Sequence, residues 1–100
     1  MNRTKWLICL ASPGQFSDEV AIHGIDYAGN EFELFTSRRF VRFEHDPSSE
    51  KEVDARLQTV LLESKDNLCL IQLPGQTFDN GSSITVRADQ LEEDSTLQPA

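Results

Sequence analysis

The chain has 100 residues, a length typical of one domain, and its 38% hydrophobic content allows a small core but little volume for a deep cleft. Seventeen acidic residues against nine basic ones give a net charge of −8 at pH 7. Because phosphates are bound by lysine and arginine, this charge argues against general nucleic-acid binding and against docking on anionic lipid. It favours solubility or attraction to a basic partner protein.

The first predicted element is a buried strand over residues 5–11, which the turn formers at 12–14 end. Its apolar run is six residues long, shorter than the hydrophobic region of a secretory signal peptide, and no segment reaches the length of a membrane span. We therefore expect a cytoplasmic protein without membrane association. Cys9 and Cys69 both lie within apolar runs, which is typical of buried, unreactive thiols, although a disulfide between neighbouring strands stays open.

Residues 19–35 have the pattern of a β-hairpin. Apolar residues alternate over 19–25, turn residues follow at 27–30, and the segment 31–35 returns with a period of two. A short segment over 40–43, rich in phenylalanine and arginine, follows the hairpin.

Residues 46–64 fit two structures. A helix over 48–63 has suitable start signals, an Asp-Pro pair and a capping box, followed by apolar residues at helical spacing. The residues at the odd-numbered positions from 53 to 61 also have the period of two that is typical of a strand with one buried face. We predict a short helical turn near 47–53 and then a strand over 56–64; the helix alternative would make the fold α+β.

The C-terminal part of the chain has the pattern of another hairpin. A buried strand over 67–73 is expected to end at Pro74-Gly75, an Asn-Gly turn follows at 78–81, and a last strand covers 83–87. The acidic segment 93–100 contains one large apolar residue, and we expect it to be a disordered tail.

One order of elements occurs twice, in 19–43 and in 56–91: a strand, a tight turn, a second strand and a short turn that presents one apolar residue. Residue identity between the two is low, so this is a shared pattern and not a demonstrated duplication. The second unit resembles the closing half of small SH3-like barrels, a likeness of fold that covers about a third of the chain and carries no functional residues. We predict one mainly β domain over 1–92, a small antiparallel β-barrel, SH3-like or related, with at most one short helix.

The basic patch, residues 38–45, departs from the acidity of the rest of the chain. Arg38, Arg39 and Arg42 alternate there with phenylalanines, and arginine beside aromatic rings can bind phosphate, bases or a protein partner. In the alternative interpretation the rings belong to the core and the arginines pair with nearby carboxylates. The three arginines are therefore candidate binding residues.

Phe16 is a further candidate, because turn formers and polar residues surround it on both sides. It could fold back as a lid on the core, or it could stand exposed as an aromatic anchor for a partner.

Catalytic motifs are absent from the sequence, which contains no nucleophile elbow, Walker loop or dinucleotide fingerprint. His23 and His45 have no partner at the close spacing of metal ligands, and we interpret His23 as a half-buried structural residue. We therefore expect no enzymatic activity, no metal and no cofactor. The sequence favours a protein-interaction module or accessory subunit, with a protein partner or self-association; the alternative is a nucleic-acid-binding barrel that uses the basic patch.

Overall fold

The computed structural model describes residues 3–44, 52–77 and 81–93. These ranges contain two single turns of 3₁₀ helix, Arg38–Phe40 and Ala88–Gln90, and no α-helix. Their strands form one antiparallel sheet, which curls into a small barrel-like domain, and the predicted mainly β fold is confirmed. Its eight strands are β1 (Thr4–Pro13), β2 (Glu19–Ile25), β3 (Glu31–Ser37), β4 (Val41–Phe43), β5 (Val53–Lys65), β6 (Leu68–Thr77), β7 (Gly81–Arg87) and β8 (Leu91–Glu93).

Long apolar helices are not part of this fold: within the described ranges, no helix could reach across a membrane.

Strands β1 and β5 form the centre of the sheet, paired from Thr4 opposite Val60 to Ala11 opposite Val53. The other edge of β1 is shared, because residues 10–13 pair with β2 and residues 5–7 pair with β8. The other edge of β5 is shared in the same way, because residues 60–65 pair with β6 and residues 55–57 pair with β4. Each central strand therefore changes neighbour partway along its length.

The two halves of the sheet repeat one another. The 3₁₀ turns begin at residues 38 and 88 and the strands after them at 41 and 91, an offset of 50 residues. Pairing repeats as well, since β4 aligns Val41 with Leu57 and β8 aligns Leu91 with Leu7. The structure therefore contains two units, β1–β4 and β5–β8, each of which pairs its last strand with the first strand of the other; the predicted repeat over 19–43 and 56–91 left β1 out of the first unit.

The core lies on the inner face of the curled sheet and takes side chains from both units. Its closure depends on the β2–β3 hairpin lying against β6 and β7: the Tyr27 N–H donates to the Thr85 carbonyl at 2.9 Å. Gly75 allows a second close approach, because a Cβ there would lie 2.9 Å from the Phe35 carbonyl oxygen. The most deeply buried large side chains are Leu7, Ile22, Leu34, Leu57, Ile71, Val20, Val86 and Thr59.

The helix alternative over 48–63 is wrong for the residues that the structure describes, because the strand β5 begins at Val53. Residues 48–51 lie outside the described part of the chain, and so does most of the predicted helical turn near 47–53. Strand geometry prevails because Ala55, Leu57 and Thr59 alternate into the core between neighbouring strands. Strand β6 also differs from its prediction, since it continues through Pro74-Gly75 to Thr77. Proline has no N–H for a ladder, and the register shifts between Gln72 and Thr77.

Two other predicted segments fall partly outside the described residues. In the turn over 78–81, residues 78–80 lie outside, and Gly81 has a φ of 75°, which favours glycine. Glu93, where we place the start of the acidic tail, is the last residue of β8, and residues 94–100 lie outside.

Candidate interaction surface

The predicted basic patch lies on the first 3₁₀ turn and β4, and its guanidinium groups stack on aromatic rings of the same chain. A cation over a ring contributes about 0.5–1 kcal/mol at an exposed site, so each contact orders a long side chain. The measured distances from guanidinium carbon to ring centre are 5.1 Å for Arg38 on Phe43, 5.0 Å for Arg39 on Phe40 and 3.9 Å for Arg42 on Trp6. Sequence reasoning missed Trp6, which is distant in the chain; His45 lies outside the described residues. Binding by the three arginines stays a prediction.

Arg42 borders a cavity of about 220 Å³ that it shares with a second arginine, Arg56, directly opposite on β5. The Nε of Arg56 lies 3.1 Å from a carboxylate oxygen of Glu92, and this carboxylate raises the pKa of Arg56. Glu44 lines the same cavity. Two guanidinium groups and two carboxylates balance in charge, so this cavity offers little net attraction to a phosphate.

Phe16 lies in the turn between β1 and β2 and exposes 68% of its surface. The core-lid interpretation is therefore wrong, while contact with a partner stays a prediction. The turn is held by backbone bonds, with the Glu19 N–H donating to the Phe16 carbonyl at 3.0 Å. The Arg38 N–H donates to the Asp18 carbonyl at 2.9 Å, which places the turn beside the basic patch.

A larger surface, missed by the sequence analysis, lies on the outer face of β1, β2 and β3. The registers align Leu10 with His23 and with Asp54, and His23 with Glu33, so one row of outward side chains crosses four strands. We name this surface, with its flanking carboxylates, the acidic–apolar face; its members are Ile8, Leu10, His23, Ile25, Glu31, Glu33, Phe35, Glu52 and Asp54.

Apolar side chains on this face are accessible to a partner. Ile8 exposes 41% of its surface, Ile25 43% and Phe35 37%. They occupy outward positions on three neighbouring strands, and the alternate residues of the same strands point inward and fill the core. The face therefore combines exposed apolar groups with carboxylates, and the row through His23 and Glu33 lies between Phe35 and the other two apolar residues.

His23 occupies the middle of the acidic–apolar face between two carboxylates. Its Nε2 lies 2.9 Å from Glu31 Oε1 and its Nδ1 lies 3.3 Å from Glu52 Oε2. The bond to Glu31 and then the interactions with Glu52 raise the pKa of His23 above 6.5, although partial burial opposes them. Glu52 is 29 residues from His23 in the chain, so spacing could not reveal this pair. Among the described residues, no three His, Cys, Asp or Glu side chains are grouped to hold a metal ion.

A cleft of about 240 Å³ opens on this face where β1 changes neighbour from β8 to β2. The second 3₁₀ turn, which precedes β8, is bonded to the end of β2: the buried Gln90 accepts the Arg87 N–H at 2.6 Å and donates its amide to the Ile25 carbonyl at 3.0 Å. The cleft is lined by Ile8, Cys9, Leu10, His23, Gly24, Ile25 and Asp54.

Cys9 and Cys69 are both free and buried. They lie on β1 and β6, which β5 separates in the sheet. Burial raises the pKa of Cys9 to about 12, so its thiol is a poor nucleophile at neutral pH.

Comparison with protein-family models, with curated proteins and with solved structures finds no match for the chain. The acidic–apolar face and the basic patch are therefore ranked on their geometry and charge alone.

Proposed function

We propose that this protein is a protein-interaction module that contacts its partner through the acidic–apolar face. The observation that carries the proposal is the exposure of Ile8, Ile25 and Phe35, between 37% and 43%, on three adjacent strands of one surface. Protein interfaces combine buried apolar groups with a polar rim, and a few of the buried residues supply most of the binding energy. Docking would bury these side chains, which the isolated chain leaves in water.

The charge of the face favours a basic partner. Glu31, Glu33, Glu52 and Asp54 border the apolar groups, and the whole chain carries a net charge of −8. The histidine within the face is already held by two of these carboxylates. Complementary charge speeds association and discriminates against acidic proteins.

Three finer predictions accompany this proposal: an SH3-like form of the small barrel, a cytoplasmic location, and a role as an accessory subunit of a larger assembly or of a self-associated one. The curled sheet with a 3₁₀ turn before each last strand supports the first of them. The free, buried cysteines are compatible with the second.

Interaction through the acidic–apolar face can be tested by comparing variants as bait with extracts of the source cell. The double variant Ile8→Ser/Phe35→Ser removes apolar groups from the face, and Val60→Ser/Leu62→Ser is a matched control, because its side chains expose 43% and 42% on β5. We expect a protein retained by the wild type and by the control, and lost from the face variant. A partner that both variants retain, or that both lose, would contradict the proposal.

Nucleic-acid binding by the basic patch is the second candidate. It is supported by the stacked arginines and by the exposed Phe16, which lie at the same end of the sheet. A labelled single-stranded oligonucleotide titrated at several salt concentrations tests it by fluorescence anisotropy. This candidate requires Arg38→Ala/Arg39→Ala to weaken binding and to reduce the salt slope by about 1.4, since each phosphate contact with a single strand contributes about 0.7; unchanged affinity would exclude it.

A further inference from the structure

The cleft on the acidic–apolar face has the size and lining of a site for one long side chain. Its volume of about 240 Å³ corresponds to roughly eight water molecules at about 30 Å³ each. Ile8, Leu10 and Ile25 supply aliphatic walls, and Asp54, aligned with Leu10 on β5, is the carboxylate among the lining residues. Glu31 does not line the cleft, but it is aligned with the lining residue Ile25 on the neighbouring strand and so lies beside it.

We propose that this cleft binds a lysine or arginine side chain of the partner, with its methylene groups on the aliphatic walls and its cation on the carboxylates of Asp54 and the adjacent Glu31. This inference rests on the proposed function and names the kind of partner segment that the face would recognise. Lysine and arginine combine an apolar stem with a charged end, which matches a cleft with aliphatic walls and a carboxylate in its lining. An acidic or purely aliphatic side chain would leave these carboxylates without a counter-charge.

His23 regulates this site, because it competes with the partner's cation for Glu31, whose Oε1 lies 2.9 Å from its Nε2. A protonated imidazole donates from both nitrogens and can hold Glu31 and Glu52 together, whereas the neutral ring has one N–H to donate. Glu33 is aligned with His23 on β3, and Asp54 lies on the other side of Leu10 in the same row. Loss of the proton makes the face more negative by one charge and releases one carboxylate. Binding of a basic segment therefore strengthens as the pH rises through the titration of His23.

The test uses the full chain, labelled with ¹⁵N, and a blocked peptide of sequence Lys-Val-Lys-Val-Lys as the probe. We expect amide shift changes centred on Ile8, Leu10 and Ile25, and none with the matched peptide in which glutamate replaces lysine. Asp54→Asn combined with Glu31→Gln should weaken binding about two- to thirtyfold, the range for two exposed ion pairs. Glu63→Gln/Asp89→Asn is the control, since it removes the same charge from sites that neither line the cleft nor are aligned with a lining residue.

The pH dependence gives an independent readout. The wild type should bind the lysine peptide more tightly at pH 8.5 than at pH 6, and His23→Gln should remove this difference. Shift changes outside the cleft, equal weakening by the control pair, or a pH response that survives His23→Gln would overturn the inference. If the peptide does not bind while the Ile8→Ser/Phe35→Ser bait still loses its partner, the inference fails and the proposed function stands.

Discussion

Leu57 lies at the centre of the sheet, and its truncation measures how much of the stability comes from the contact between the two structural units. The side chain has 0% exposure and is aligned with Leu7 on β1 and with Val41 on β4. Leu57→Ala removes three carbon atoms, which at about 0.8 kcal/mol each gives about 2.4 kcal/mol of lost transfer free energy. The cavity left between three strands raises the cost to about 3–5 kcal/mol. This is a large fraction of the roughly 5–15 kcal/mol by which small domains are stable.

Urea unfolding provides the assay, followed by the fluorescence of the sole tryptophan and by circular dichroism. We expect the midpoint to fall with little change in slope, and Leu7→Ala to cost the same within about 1 kcal/mol because it occupies the equivalent place in the other unit. Leu62→Ala is the control: its side chain is 42% exposed, so it should cost less than about 1 kcal/mol. If Leu57→Ala is no more destabilising than Leu62→Ala, the arrangement of the core described above is refuted.

Three further predictions concern single residues. Gly24→Ala would place a Cβ 2.7 Å from Cζ of the buried Phe32 ring, so we expect a cost of about 1–3 kcal/mol and a lower Tm in thermal unfolding; an unchanged Tm would argue against this packing. The pKa of His23 is raised above its unfolded value of 6.5, so its contribution to stability, at most about 1 kcal/mol, is complete below pH 6.5 and is lost as the pH rises through the folded pKa. The urea midpoints of the wild type and of His23→Gln should therefore converge at alkaline pH. A difference that stays constant with pH would contradict this. The pKa of Cys9 is about 12 instead of 9.0, so iodoacetamide at pH 8 should alkylate this thiol about 1,000-fold more slowly in the folded than in the unfolded chain. Peptide mass spectrometry measures both rates. Equal rates would show that the thiol is not buried.

The strands were most predictable where one period dominated the sequence. Residues 19–35 alternate clearly, and β2 and β3 lie there with their apolar positions buried. Residues 53–61 satisfied both a period of two and a helical spacing, and a short window cannot separate these. The choice is made by neighbours distant in sequence, because β1 pairs with β5 along residues 53–60.

The candidate sites show the same dependence on distance in the chain. Arg38, Arg39 and Arg42 could be recognised because they are close together in sequence. The acidic–apolar face could not, since its members come from strands whose register the sequence does not reveal. Gln90 is a further example, as a polar residue buried at 7% exposure that holds two backbone groups from different strands.

The central claim, that a partner docks on the acidic–apolar face, is tested most directly by site-specific photo-cross-linking in the source cell. A benzophenone side chain replaces Phe35 on this face in one variant and Leu62 on β5 in the other, positions with 37% and 42% exposure. We predict a discrete cross-linked product from position 35 and none of the same mass from position 62. The same product from both positions, or a product from position 62 alone, would contradict the assignment of the interaction surface.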